Sequence, residues 1–261
     1  MRDFTLKAYQ QYIRAIQNRI GLFVRFDRYF TLRDKPASFC LLRHDVDRKP
    51  RQALDMAKLE HHMGVQATYY FRMKRCSFNE NIIKQIASLG HEIGYHYEDL
   101  SDTNGNMEQA IRRFEQHLSR LRDIAAVKTC AMHGNPLKPY DNLDMWRVPE
   151  NHEYLTSQLG MLGEPYLDID YSDIAYINDT GRNWTSARAN RRDKVDSGVN
   201  ADFSSGKALL DYLSADPAPK ICFQVHPERW SDHPFVWATQ WVKDRGINAA
   251  KAGIKFVMKN K

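Results

Sequence analysis

Apolar positions along this chain follow two alternating rhythms. Over residues 5–20, Leu6, Tyr9, Ile13, Ile16 and Ile20 recur at helical spacing, which predicts a leading helix packed by one face against the body. From residue 38 short apolar runs alternate with amphipathic stretches. Ser38-Phe39-Cys40-Leu41-Leu42 reads as a fully buried strand, and 51–63 as a helix stopped by Gly64. Residues 65–71 are rich in β-formers, 79–89 is helical and closed by Gly90, and 92–96 is a short strand. A long amphipathic helix over 107–122 and a strand over 127–132 follow, the strand ending at His133-Gly134. After Pro136 the signal weakens to short pieces around 154–159 and 174–177. It sharpens again at a helix over 207–213, a strand over 220–225 ending at His226-Pro227, and a helix over 234–243.

Strands alternating with helices at roughly 25–35 residues per unit predict a parallel α/β architecture. No linker or repeat interrupts it, so residues 1–261 read as one domain with 1–37 as a helical N-terminal extension. A barrel and an open doubly wound sheet both fit the alternation. The glycine patterns of dinucleotide-binding and P-loop folds are missing after the first strand. Asp45, His96, His133 and His226 each fall at the carboxyl end of a strand. A βα barrel converges such residues on one rim, whereas an open sheet gathers them at one switch point, so the barrel is favoured.

Composition narrows the classes. A chain of 261 residues that is 43% hydrophobic supports one sizeable core. No apolar stretch is long enough for a membrane span, and residues 1–7 lack the apolar segment of a secretory signal, so a cytoplasmic location is expected. Cys40, Cys130 and Cys222 sit inside apolar runs without a CxxC pair and read as small buried hydrophobes. The net charge of +6 is diffuse: basic residues scatter over Arg14, Arg19, Arg25 and Arg28 and concentrate in 182–194, where Arg182, Arg188, Arg191, Arg192 and Lys194 accompany one acid, Asp193. No nucleic-acid recognition motif accompanies these cations, and no nucleic-acid partner is expected. A solvated positive surface accounts for them; so does an anionic partner such as a nucleotide-linked or lipid-diphosphate-linked sugar or a membrane surface.

The chemistry starts at Arg43-His44-Asp45-Val46-Asp47. If the strand persists, Asp45 and Asp47 share one side of the chain, and carboxylates leaving a buried strand must be hydrated, paired or metal-bound. One reading is a capped turn, with Asp47 as helix N-cap before Pro50; the other is a shared site with one base and one ligand. In Gly90-His91-Glu92-Ile93-Gly94-Tyr95-His96-Tyr97-Glu98-Asp99-Leu100, His96 and Glu98 share a strand face, and imidazole plus carboxylate is a donor set that zinc and similar divalent ions accept. Asp47, His96 and one of Glu98 or Asp99 would complete three ligands. His226, pinned between a buried strand and Pro227, suits proton transfer at neutral pH.

The order LRHDVD, GHEIGYH and a late VHP resembles the NodB-homology polysaccharide deacetylases, carbohydrate esterase family 4 in the broad sense, across about residues 38–230. Within that family, MHGNP, HPERW and NDTGRNW are similar to the cytoplasmic WbmS-like branch of O-antigen biosynthesis clusters. The resemblance implies a distorted, usually seven-stranded (β/α) barrel and a divalent metal, zinc first. It implies hydrolysis of the amide of an N-acylated amino sugar in surface-polysaccharide biosynthesis. Carried over residue by residue, it makes Asp45 the base, Asp47 and His96 metal ligands, and His226 the general acid.

The chain departs from the family pattern in two places. A second histidine is usual four residues after the first, and here position 100 is leucine. Glu98 is taken as the replacement ligand, with Asp99 or an approach by His133 as alternatives. The arginine-bearing third motif is replaced by His133-Gly134-Asn135-Pro136. The acid orienting His226 is one of Asp170, Asp173 or Asp179. His133, Arg182, Trp184 and Trp230 are the expected substrate contacts, although core packing accounts equally for the tryptophans. A barrel that binds sugar without catalysis, or a hydrolase of another C–N bond such as an N-formyl group, is the alternative function.

Overall fold

The computed structural model describes residues 2–135, 138–184 and 195–259. Among them seven strands form one sheet: β1 (Phe23–Val24), β2 (Phe39–Val46), β3 (Thr68–Phe71), β4 (Glu92–Tyr97), β5 (Val127–Met132), β6 (Ala175–Asn178) and β7 (Lys220–Val225). The order is β5-β4-β3-β2-β7-β6, and every pairing is parallel. The predicted α/β class therefore holds. β2 is the centre, flanked by β7 on one side and on the other by β1 at its start and β3 at its end. Its whole length is buried, which explains why it reads as an unbroken apolar run up to the charged cluster.

The sheet curls without closing. Leu41 of β2, Tyr70 of β3, Ala131 of β5, Tyr176 of β6 and Cys222 of β7 join one apolar cluster with Phe26 and Tyr29. Strands on both sides of β2 thus contribute to one apolar cluster on this face of the sheet. β5 and β6 do not pair among the described residues, and the segment 159–174, bonded to β5, leads into β6. There the Leu162 N–H donates to the Lys128 carbonyl at 2.8 Å, and the buried Glu164 carboxylate accepts from the Met132 and Tyr166 N–H groups at 2.9 and 2.6 Å. Gly94 is required by this curvature: a Cβ there would stand 2.3 Å from the Tyr70 ring, which lies against β4.

Helices cover the outer face. α1 (Leu6–Arg19) is capped by Thr5, whose hydroxyl accepts from the Ala8 N–H at 3.1 Å, and it buries Tyr9, Tyr12, Ile13 and Ile16. α2 (Phe26–Thr31), the exception, turns Phe26 and Tyr29 into the inner cluster and leads into β2; α3 (Pro50–His62) follows it, and Gly64 ends the turn after α3 at φ 72°. α4 (Glu80–Ser88), α5 (Asp99–Asp102) and α6 (Met107–Arg122) complete the first half; Gly206–Ala215 and Pro234–Lys259 follow in the second.

Two differences from the sequence expectations have simple causes. The leading segment contributes β1 as well as helices, because two residues are too few to carry a periodic signal. The last helix runs to Lys259, well beyond residue 243. The expected basic loop lies mostly outside the described residues: Arg188, Arg191, Arg192 and Lys194 belong to 185–194.

Candidate metal and catalytic site

β2 delivers the two aspartates by different routes. Arg43 and Asp45 alternate onto the inner face, as period two requires. The strand ends at Val46; the Asp47 N–H then folds back to the Asp45 carbonyl at 3.1 Å. Both carboxylates nonetheless reach the same imidazole: His96 Nε2 is 3.7 Å from Asp45 Oδ2 and 3.5 Å from Asp47 Oδ1. Asp47 is not a helix cap, since Lys49 occupies the capping position of α3 and makes no side-chain cap bond.

Asp47, His96 and His133 converge, with one donor atom from each lying within 4.8 Å of the others. His133 Nε2 is 3.4 Å from Asp47 Oδ1, and that buried oxygen has no hydrogen-bond partner among the described residues. The two rings meet edge-on with centroids 5.2 Å apart. Each is backed on its other nitrogen. His96 Nδ1 lies 2.8 Å from the Ala131 carbonyl, so it carries the proton and leaves Nε2 as a lone-pair donor. His133 Nδ1 lies 3.3 Å from Glu98 Oε2, and Arg72 grips Glu98 through Nε at 2.8 Å and Nη2 at 2.9 Å. Burial would depress His133, but Asp47 and Glu98 outweigh it and push its pKa up to about 9. Burial likewise opposes ionisation of Glu98, yet His133 and Arg72 bring it down to about 2. His133 and the two carboxylates therefore stabilise one another's charged forms.

This donor set fits a divalent ion. A tetrahedral metal with ligands at about 2.1 Å separates neighbouring ligand atoms by about 3.4 Å. Asp47 stands 3.5 and 3.4 Å from the two imidazole nitrogens, too far for hydrogen bonds and close to that spacing.

Asp45 borders the cluster and is held on three sides. Arg43 donates to its Oδ1 through Nε at 2.7 Å and to its Oδ2 through Nη2 at 2.9 Å; Gln224 adds a bond to Oδ2 at 2.6 Å. Arg43 is fully buried beneath the rings of Tyr70 and Tyr166. Burial alone would raise the Asp45 pKa, but Arg43, His96 and His226 take it below the ordinary carboxylate value, so it is ionised at neutral pH.

Opposite stands His226. Its Nδ1 is 2.6 Å from Asp179 Oδ1, and Asp179 also receives the His226 N–H, Arg229 Nη1 at 2.7 Å and the Trp230 indole N–H at 2.8 Å. These partners overcome burial and hold Asp179 near 2, while the carboxylate outweighs burial and Arg229 and raises His226. Nε2 is left to exchange protons. His226 also helps to hold the Asp45 and Asp47 carboxyls below the ordinary carboxylate value.

The remaining sequence candidates lie elsewhere. Glu98, expected as a ligand, stands one layer back as the partner of His133. Asp99 turns away to the Tyr95 hydroxyl at 2.6 Å and to His117, and Leu100 is buried in the core. Arg182 bonds the Arg229 carbonyl and lies against the rings of Phe4 and Trp237. Trp184 and Trp230 are buried with Phe4 and Tyr12, so none of these three side chains is displayed to a sugar. Asp170 and Asp173 bond Ser172 and Lys220, leaving Asp179 as the acid on His226. Sequence reasoning missed Arg43, Arg72, Gln224 and Arg229. The signal for Arg43 was present: a guanidinium two residues from an aspartate in a buried strand has to be paired with something.

No family model matches the chain, and no curated protein does. Among solved structures, a Streptococcus mutans CE4 esterase superposes with a TM-score of 0.45 at 16% identity, over 82% of this chain and 83% of that one. The Xyl-CE4 domain of a multidomain xylanase from the hindgut metagenome of Trinervitermes trinervoides gives 0.40 at 15% identity, over 84% and 85%.

Proposed function

We propose that this chain is a divalent-metal-dependent hydrolase that removes the acyl group from an N-acylated amino sugar, in the biosynthesis of a surface polysaccharide. The observation that carries the reading is one arrangement: a carboxylate–imidazole–imidazole cluster with an ionised aspartate on one side and an acid-backed histidine on the other. The motif resemblance supplies the substrate class.

Asp47, His96 and His133 would hold the metal, with zinc suited to this donor set. A bound divalent ion supplies Lewis-acid polarisation and lowers the pKa of water. The protein's own groups then divide the proton work. Asp45, ionised and fixed by Arg43 and Gln224, takes the proton of the attacking water. His226, whose charged form Asp179 favours, delivers its Nε2 proton to the departing amine nitrogen. Glu98 and the Ala131 carbonyl keep both imidazoles turned toward Asp47.

The test is acetate and formate release from a panel of N-acetylated and N-formylated amino sugars, free, nucleotide-linked and lipid-diphosphate-linked, with zinc, cobalt or manganese added. Release that depends on metal and disappears in Asp45→Asn supports the reading. Sugar binding without release under every metal would instead make the chain a non-catalytic barrel.

A further inference from the structure

Over the part whose side chains are described, the helix Pro234–Lys259 turns an unusually apolar face outward for a surface helix. Its inward face carries Trp237, packed against the core, together with polar groups. Gln240 accepts from Lys49 Nζ at 2.8 Å and donates to Asp244 at 3.1 Å; Asp244 lies 3.7 Å from Arg182, and Asn248 donates to the Gly181 carbonyl at 2.8 Å. Its outward face carries apolar ones. Phe235 is 72% exposed and Val242 63%, the two most exposed large hydrophobics among the residues whose side chains are described, and Trp241 is 40% exposed beside them. Phe235 and Val242 are seven residues apart, two helical turns, so they lie on one line.

The exposed charges on this helix share a sign. Asp244 is buried against the body, whereas Lys243 and Arg245 are exposed, and the Arg245 guanidinium stacks 4.8 Å over the Trp241 ring. From position 245 onward the sequence has Arg245, Lys251, Lys255, Lys259 and Lys261 and no acid. Apolar side chains flanked by cations, on a helix not apolar enough to cross a bilayer, suit an interface with an anionic lipid surface.

We propose that this helix docks the protein on anionic membrane, Phe235, Trp241 and Val242 entering the acyl boundary and Lys243 and Arg245 meeting the headgroups. The inward bonds tie the helix to Lys49 beside the Asp47 turn and to Gly181 and Arg182 beside Asp179, so contact with lipid would be made next to the mouth of the site. The proposal does not depend on the hydrolase reading.

The experiment is flotation of the full chain with vesicles of phosphatidylcholine alone or with about 30 mol% phosphatidylglycerol. Flotation with the anionic vesicles only, weakened at high salt and reduced about tenfold or more in a Phe235→Glu/Val242→Glu variant of unchanged circular dichroism, supports it. No flotation of the wild type, or equal flotation of the variant, overturns it. A wild-type dimer in light scattering that the variant abolishes, without lipid binding, overturns it too and assigns the face to a second copy.

Discussion

The imidazole of His226 and the carboxylate of Asp179 form a 2.6 Å pair in which the carboxylate is saturated by donors and the imidazole keeps one nitrogen free. Asp179, held near 2, stabilises the fold above the ordinary carboxylate range and loses that contribution as pH falls toward 2. His226, raised above 6.5, contributes fully below that value and loses its contribution as pH rises through its folded pKa.

Asp179→Asn removes the charge that raises the His226 pKa. The alkaline limb of the kcat profile is expected to move to lower pH by about a unit or more, with metal affinity unchanged. An unmoved limb would show that another group donates the proton.

Divalent-ion binding separates the ligands from their supports. Asp47→Asn, His96→Ala and His133→Ala should each abolish tight zinc binding in calorimetry. Glu98→Gln should weaken it by about 10–100-fold, because Glu98 acts through His133. Leu100→His should gain no affinity and should lower the melting temperature, since Leu100 fills core. A gain in affinity with that variant would mean that α5 can turn toward the site.

Arg43 and Asp45 form a fully buried ion pair on one strand. Arg43→Met leaves Asp45 uncompensated and should cost about 3–5 kcal/mol in urea unfolding. Adding Asp45→Asn should recover part of that loss. Strict additivity in this double-mutant cycle would sink the idea that the two charges hold one another.

Glu60 anchors α3 beneath the sheet, with His44 at 2.7 Å, the Tyr69 hydroxyl at 2.7 Å and the Tyr9 hydroxyl bonded to it. Burial opposes its charge, but His44, His91 and the Tyr9 hydroxyl take its pKa below 4.5. Its contribution is therefore present above pH 4.5 and lost as pH falls through the folded value. Glu60→Gln should destabilise the protein at neutral pH and flatten the acid limb of its stability curve; acid titration of the melting temperature checks both.

Much of this architecture is legible in the sequence, and for identifiable reasons. Strands that are buried on both faces show as uniform apolar runs, and the polar residue ending each run marks the rim. Which rim residues meet depends on curvature, which no local pattern encodes. Hence Glu98, at the right spacing after His96 for a ligand, is captured by Arg72 from β3's far end, while His133 enters from β5. The tryptophans were ambiguous because an indole serves a core and a sugar equally well; burial decides for Trp184 and Trp230. The outward line of Phe235 and Val242 is invisible until the inward partners of Gln240 and Asp244 are known.

The seam between β5 and β6 divides the molecule by how readily its parts come open. β2 is bonded along both edges, so its amides should exchange with solvent only on global unfolding. The segment 159–174 crosses the seam on a few hydrogen bonds and should exchange far sooner. Asp45 rides on the slowest-exchanging strand and Asp47 directly follows it, so the floor of the site is the last part of the protein to loosen, whatever the seam beside it is doing.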